Sequence, residues 1–95
     1  MKKVRQIVIK RDKSTCRLCQ SHNMLELHHI VFKSHGGKDT EQNLITLCRA
    51  CHTKAHDNEK DMRDLLLGLQ SQIYGLIKES DLKKMNKWEV IFSED

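Results

Sequence analysis

The 95-residue chain contains no proline and few aromatic residues: one tryptophan, one tyrosine and two phenylalanines. Proteins that read single-stranded nucleic acid stack bases on aromatic side chains, and the basic half of this chain offers only Phe32 for that purpose. No apolar run approaches the roughly 18 residues of a membrane-spanning helix. The apolar run at residues 4–9 is too short, and too interrupted by Arg5 and Gln6, for a signal peptide. We therefore expect a cytoplasmic protein with no membrane association.

Charge is distributed unevenly along the chain. The net charge is +4, but residues 1–55 carry 11 Lys/Arg and 4 Asp/Glu, whereas residues 56–95 carry 6 and 9. A basic front half indicates an anionic partner, usually nucleic acid, although a solvated surface without a partner explains the charge equally well. Apolar residues at helical spacing predict a basic helix over residues 2–11. The candidate phosphate contacts on this helix and just after it are Lys2, Lys3, Arg5, Lys10, Arg11 and Lys13.

The remaining chain is predicted to form a strand–loop–strand unit followed by helices. The strands are predicted at residues 25–31 and 44–47, the loop at 33–43, and the helices at 49–59 and 61–78. The second of these helices carries an apolar stripe that we expect to pack in the core: Leu65, Leu69, Ile73, Leu76 and Ile77. We expect one domain over residues 1–95, with its core at about 10–59, a C-terminal helical extension at 60–95, and Trp88 anchoring the tail.

Four cysteines form two Cys-x2-Cys pairs that are separated by 28 residues: Cys16, Cys19, Cys48 and Cys51. Two such pairs supply the four thiolates of a tetrahedral zinc site, and the two-residue gap lets both sulfurs of a pair reach one ion. Zinc would stabilise a chain whose core is small, and four thiolates leave no open position for chemistry. The pattern therefore predicts a structural Zn²⁺ site; two disulfides or four unrelated buried thiols are the alternatives.

Histidines are placed in two informative pairs. His28 and His29 are adjacent in a predicted strand, so they should face opposite ways and have different roles. His52 and His56 are four residues apart on a predicted helix, a spacing that grips metal ions. One histidine of the strand pair could complete a metal site with them, and the other could accept a proton from water beside it. Scattered surface histidines explain the spacing alone equally well.

The order of these motifs resembles the HNH endonucleases. The resemblance covers about residues 10–56 and includes a Cys-Arg-Leu-Cys knuckle, as in the zinc-containing branch of that family. The motifs that carry it are Glu26-Leu27-His28-His29-Ile30, Gly36-Gly37, and Asn43-Leu44-Ile45-Thr46-Leu47-Cys48-Arg49-Ala50-Cys51-His52. The resemblance implies an α+β protein with the ββα-metal (HNH) fold, a four-cysteine structural zinc site and flanking helices.

The resemblance also implies roles for individual residues. His29 corresponds to the general base, and His28 and His52 correspond to ligands of one catalytic divalent cation. Asn43 corresponds to the middle residue of the motif, which ties the hairpin loop and so orients the base. His56 matches the later position of members with a His-x3-His helix, as a further ligand or a phosphate contact.

Two departures from the family pattern concern the metal and the loop. Many members carry Asp where this chain has His28, and an all-histidine ligand set is softer, so Mn²⁺, Ni²⁺ or Zn²⁺ become candidates beside Mg²⁺. Many members also carry proline just after the strand, where this chain has Val31 and Phe32. The second departure should change only the loop.

The sequence as a whole predicts a metal-dependent endonuclease that hydrolyses phosphodiester bonds in double-stranded DNA. The family resemblance implies products with 5′-phosphate and 3′-hydroxyl ends, and it adds an association with phage DNA-packaging proteins. We expect a monomer. The alternative is a zinc-stabilised DNA-binding or packaging-accessory module without catalysis, which would not need His28, His29, Asn43 and His52 together.

Overall fold

The structure is a computed structural model that describes residues 2–83, with side chains from residue 3 onward. It contains one antiparallel pair of strands surrounded by three helices, so the predicted α+β class is confirmed. No helix in the described part of the chain is long and apolar enough to span a bilayer. The predicted anchor Trp88 lies outside the described residues.

The hairpin consists of β1 (Leu25–His29) and β2 (Leu44–Cys48). Leu25 pairs with Cys48 and His29 pairs with Leu44, so the hairpin loop begins directly after the two adjacent histidines. β1 ends two residues earlier than predicted, because the backbone N–H of Val31 donates to the side chain of Asn43 instead of to a strand partner. Every residue of β2 is buried, which makes this strand the centre of the fold.

Helix α2 (Arg49–Asp57) starts directly after β2, and α3 (Glu59–Tyr74) follows after one residue. The predicted core stripe is confirmed only in part: Ile77 is buried and Leu69 packs against the core, whereas Leu65, Ile73 and Leu76 are 50%, 47% and 83% exposed. The helix instead buries Leu66 and Gln70. The Gln70 side-chain amide donates to the backbone carbonyls of residues 41, 42 and 44, so the buried face of α3 includes a polar contact with the end of the hairpin loop and the start of β2.

Helix α1 (Lys2–Arg11) packs against the hairpin through Val4 and Val8, which form a small apolar cluster with Leu44 and Leu27. The helix ends where Lys13 and Ser14 adopt positive φ angles. Asp12, which follows it, is buried and accepts the backbone N–H of Thr46 in the middle of β2. The N-terminal helix is therefore attached to the central strand by both apolar and polar contacts.

The Asp12 carboxylate is surrounded by two guanidinium groups. It lies 2.8 Å from Arg11 and 2.9 Å from Arg17, and Arg17 also bonds to Gln70 of α3. Burial would raise the pKa of Asp12, but the hydrogen bonds and charge of Arg11, with the Thr46 N–H, outweigh it and hold that pKa below its ordinary value. This network joins the end of α1 and helix α3 to β2.

Candidate metal centres and active site

The four cysteines converge although 28 residues separate the two pairs. Their sulfur atoms all lie within 4.8 Å of one another, and the Sγ atoms of Cys19 and Cys48 are 3.5 Å apart. Zinc–sulfur bonds of about 2.3 Å in a tetrahedron place the sulfurs about 3.8 Å apart, so the cluster has the size of a zinc site. None of the four forms a disulfide. The residues present therefore fit one structural metal ion, consistent with zinc.

Local backbone geometry favours the thiolate form at Cys16. Burial of this thiol raises its pKa, but the backbone N–H groups of Cys19, Cys48 and Leu18 stabilise the charged form and lower the pKa to about 6. Cys16 precedes β1, Cys48 is the last residue of β2, and Cys51 lies on the first turn of α2. An ion held by all four would therefore fix the direction in which α2 leaves β2.

Three histidines form a second cluster, in which β1 faces α2. One ring nitrogen from each of His28, His52 and His56 lies within 4.8 Å of the others, and the Nε2 atoms of His52 and His56 are 3.2 Å apart. Metal–nitrogen bonds of about 2.0–2.1 Å place ligand nitrogens about 3.3 Å apart in a tetrahedron. The i, i+4 spacing on α2 therefore produces the separation that a shared ion requires.

His28 behaves as a ligand without a partner. It is 2% exposed, and its Nδ1 atom is buried without a hydrogen bond from any described residue. A buried nitrogen without a hydrogen bond lowers the stability of the fold unless another group binds it, and a cation is one such group. Burial, together with the charges of His52, His56 and His29, lowers the pKa of His28 to about 3. The ring is therefore neutral, as a metal ligand must be.

Glu26 holds one of these rings in place. It lies two residues before His28 on β1, and its carboxylate is 2.7 Å from Nδ1 of His52. A carboxylate only accepts, so Nδ1 of His52 carries the hydrogen and Nε2 presents its lone pair towards the cluster. The hydrogen bond from His52, with the contact from Arg49, lowers the pKa of Glu26 and keeps it ionised.

His29 lies beside the three-histidine cluster. It belongs to neither of the two clusters of metal-binding groups found among the described residues. It lines a cleft of about 350 Å³ together with Leu27, His28, Phe32 and Lys33, as well as the α2 histidines. Three consecutive residues of β1 line this cleft, so it spans both faces of the strand at its edge. A candidate metal ligand, His28, and a histidine outside the metal clusters, His29, therefore line the same cleft.

A carboxylate from the hairpin loop contacts His29. Oδ1 of Asp39 is 2.7 Å from Nε2 of His29, and the other carboxylate oxygen is 3.4 Å from Nζ of Lys33. Burial raises the pKa of Asp39, but the hydrogen bond from His29 and the charge of Lys33 outweigh it and lower the pKa. Asp39 is therefore a carboxylate that accepts a hydrogen bond from the His29 ring.

Asn43 is fully buried at the base of the loop and bonds to both of its sides. Its Oδ1 accepts the N–H of Val31 at 2.8 Å, and its Nδ2 donates to the carbonyls of Val31 at 3.1 Å and Lys38 at 2.9 Å. A Cβ atom at Gly37 would lie 1.8 Å from the Val31 carbonyl oxygen, so the loop passes the strand too closely for a side chain there. Asn43 thus closes the loop that carries Asp39.

The predicted phosphate contacts divide into two groups. Lys3, Arg5, Lys10 and Lys13 are exposed, and the side chain of Lys2 lies outside the described residues. Arg11 instead points into the fold, where its five N–H groups donate to Asp12, to Tyr74 and to the carbonyls of residues 41 and 44. The side chain of Arg11 therefore holds α1 on the hairpin and has its N–H donors occupied within the fold.

Glu26 and Asp39 were missed by the sequence reasoning. Strand alternation places Glu26 on the same face as His28, so its position beside the metal ligands could have been deduced from the strand alone. Asp39 stands in an irregular loop, where no periodicity relates it to His29. The histidines left as surface residues, His22 and His35, are exposed; His35 pairs with Glu59 at 3.2 Å.

Comparison with known proteins shows which family part of the chain is similar to. A family model described as HNH endonuclease matches residues 16–58, which contain both metal-binding clusters, Asn43 and the whole hairpin. The resemblance seen in the sequence is therefore confirmed for this part of the chain. No solved structure matches the chain.

Two curated proteins match the chain over part of its length. The "Type IV methyl-directed restriction enzyme EcoKMcrA" of Escherichia coli (strain K12) is 30% identical over 74 residues, which cover 66% of this chain and 27% of that protein. "Anaredoxin" of Nostoc sp. (strain PCC 7120) is 40% identical over 45 residues, which cover 46% of this chain and 59% of that protein. The chain thus spans about a quarter of the first relative and little more than half of the second.

Proposed function

We propose that the HNH endonuclease domain in residues 16–58 hydrolyses phosphodiester bonds of double-stranded DNA with the help of one divalent cation. The observation that carries this proposal is the cleft in which a neutral, buried His28 faces His52 and His56 while His29 stands beside them. A DNA-binding module without catalysis does not require a buried histidine nitrogen without a hydrogen-bond partner next to a separate histidine that is held by a carboxylate.

In this proposal the residues of the cleft have distinct roles. His28, His52 and His56 would hold the divalent cation, and Glu26 orients the ring of His52. When bound, such a cation supplies positive charge beside the oxygens of the scissile phosphate. His29 accepts a proton from water, and the resulting hydroxide attacks phosphorus. The bond from phosphorus to the 3′ oxygen breaks, and the leaving oxygen takes a proton from solvent water. The products carry 5′-phosphate and 3′-hydroxyl ends, as in the family that the domain resembles.

The exposed basic residues of α1 support a duplex-DNA substrate. Leu27 lines the cleft and also packs against Val4 and Val8, so α1 lies alongside the cleft. We propose that Arg5, Lys10 and Lys13, with Lys2 and Lys3, contact the DNA backbone without sequence preference, since phosphate contacts carry no sequence information. The association with phage DNA-packaging proteins and the monomeric state are further proposals, to be tested by co-purification and by size-exclusion chromatography.

A plasmid-cleavage assay tests the proposed nuclease. Supercoiled plasmid is incubated with the zinc-loaded protein and a panel of Mg²⁺, Mn²⁺, Ni²⁺ and Zn²⁺. His29→Ala should cleave about 10²–10⁴-fold more slowly than the wild type at saturating metal, because a general base is lost and no ligand is removed. The matched control is His22→Ala, which removes an exposed histidine outside the cleft and should cleave at the wild-type rate.

The same assay distinguishes the proposed nuclease from the alternative function. A non-catalytic DNA-binding module would retard DNA in a gel and cleave it with none of the four metals. A wild-type rate for His29→Ala would contradict the assignment of the base. Loss of the second metal ion from His29→Ala, measured by calorimetry, would show that His28 and His29 have exchanged roles.

A further inference from the structure

Asp39 stands outside every motif on which the HNH resemblance rests, yet it makes the closest described contact to the proposed base. Its Oδ1 atom is 2.7 Å from Nε2 of His29. We propose that Asp39 is a positioning residue, which fixes the hydrogen of the His29 ring on Nε2 and so leaves Nδ1 to accept the proton from water. This inference rests on the proposed function, because it assigns the partner of the proposed base.

Hydrogen-bond chemistry gives the direction of this contact. An ionised carboxylate has no hydrogen to donate, so the ring nitrogen that it meets must carry one. Neutral imidazole carries a single N–H, and a hydrogen on Nε2 therefore leaves the lone pair on Nδ1. A histidine that acts as a base needs its lone pair directed at water, and a carboxylate on the opposite nitrogen is the arrangement that secures it.

The position of Asp39 is set from inside the fold. Its side chain is 32% exposed, so the contact with His29 competes with water and depends on where the loop holds the carboxylate. Asn43 donates to the carbonyl of Lys38, the residue directly before Asp39, at 2.9 Å. On the other side Lys33 lies 3.4 Å from the second carboxylate oxygen. The buried Asn43 thus orients His29 through the backbone of residue 38 and the carboxylate of Asp39.

Kinetics of Asp39 variants provide the first test. Asp39→Ala should lower kcat for plasmid cleavage by about 10–100-fold, within the total that His29 itself supplies, with KM for DNA and the melting temperature little changed. Asp39→Asn should also be slow, because its amide can donate to Nε2 and select the unproductive tautomer. The matched control is Glu59→Gln, which alters the carboxylate of another histidine pair, with His35, and should keep the wild-type kcat.

Two further measurements separate positioning from a structural role. In a His29→Ala background, Asp39→Ala should cause no further loss of rate, because Asp39 acts only through that ring. Nitrogen-15 spectra of the histidine rings, recorded on the protein with zinc alone, should show His29 with its hydrogen on Nε2 in the wild type. The Asp39→Ala variant should show a mixture of the two tautomers.

The outcomes distinguish the inference from the proposed function. A wild-type kcat for Asp39→Ala, together with an impaired His29→Ala, would overturn the role of Asp39 and leave the nuclease mechanism standing. Additive losses in the double variant, or an unchanged tautomer in Asp39→Ala, would also overturn it. A wild-type rate for His29→Ala would overturn the proposed base itself.

Discussion

Replacing Asn43 with alanine removes the clamp at the base of the hairpin loop. The variant loses three hydrogen bonds and leaves the N–H of Val31 and the carbonyls of Val31 and Lys38 without their partner in a fully buried site. Each bond contributes about 0.5–1.5 kcal/mol net, so Asn43→Ala should lower the free energy of unfolding by about 2–4 kcal/mol. For a domain of this size, that corresponds to a drop of about 10–20 °C in melting temperature.

Urea unfolding of the zinc-loaded protein, followed by circular dichroism, measures this difference. The matched control is Asn23→Ala, which truncates an exposed asparagine and should change the free energy of unfolding by less than about 0.5 kcal/mol. An Asn43→Ala variant that unfolds within about 1 kcal/mol of the wild type would refute the clamp.

Asn43→Asp gives an independent check through pH. This variant keeps the acceptor for the Val31 N–H, but it turns an oxygen towards the two carbonyls that the wild-type amide donates to. Only the protonated carboxyl can donate there, so its pKa in the folded state should lie above the unfolded value of about 3.9. Folding then binds a proton, and the variant should lose stability relative to the wild type as the pH rises above about 4. The deficit of Asn43→Ala should not depend on pH in that range.

Four further predictions concern the metals, the buried carboxylate and DNA. Cys19→Ser should lose tightly bound zinc and thermal stability, since folding of small zinc domains depends on the ion; an undiminished zinc content by metal analysis would contradict it. Glu26→Gln should weaken binding of the second metal by about 10–100-fold in calorimetry at unchanged zinc content, and equal affinity would exclude the orienting role. Asp12→Asn should cost about 3 kcal/mol at pH 7, because it unbalances a buried ion pair. The pKa of Asp12 is lowered in the folded state, so its contribution to stability is present above the unfolded pKa of about 3.9 and is lost as the pH falls below it. The difference in free energy of unfolding between variant and wild type should therefore shrink on acidification, and a constant difference would refute this. Changing Lys10 and Lys13 to alanine should reduce the slope of log affinity for DNA against log salt by about 2, and an unchanged slope would remove this helix from the interface.

Local sequence signals predicted most of the elements and the residues that the two clusters contain. The Cys-x2-Cys spacing and the i, i+4 spacing of His52 and His56 are consequences of chain geometry, so they predict convergence without knowledge of the fold. Hydrophobic periodicity predicted the buried face of α3 only in part, because that face includes Gln70, whose amide donates to backbone carbonyls of residues 41, 42 and 44. A polar residue at a core position is invisible to an apolar pattern.

Two side chains show a different limit of sequence reasoning. Arg11 lies in the same basic run as Lys10 and Lys13, and nothing local distinguishes a buried arginine from an exposed one. Its orientation depends on Asp12 and on carbonyls 30 and 33 positions away in the chain. Asp39 likewise meets His29 only because the loop is closed by Asn43. Contacts of this kind follow from the assembled fold, and a linear pattern does not contain them.

The contacts between β2 and residues outside the family match bear on how far the domain can be truncated. A fragment cut to the family match at residues 16–58 would keep both sets of metal-binding side chains. It would lack the carboxylate of Asp12, which accepts the Thr46 N–H, and the side-chain amide of Gln70, which donates to the Leu44 carbonyl at the start of β2. It would also expose the side of Leu44 that α1 covers. The contacts that hold β2 in place accordingly extend beyond the region that the family model matches, on both sides of it.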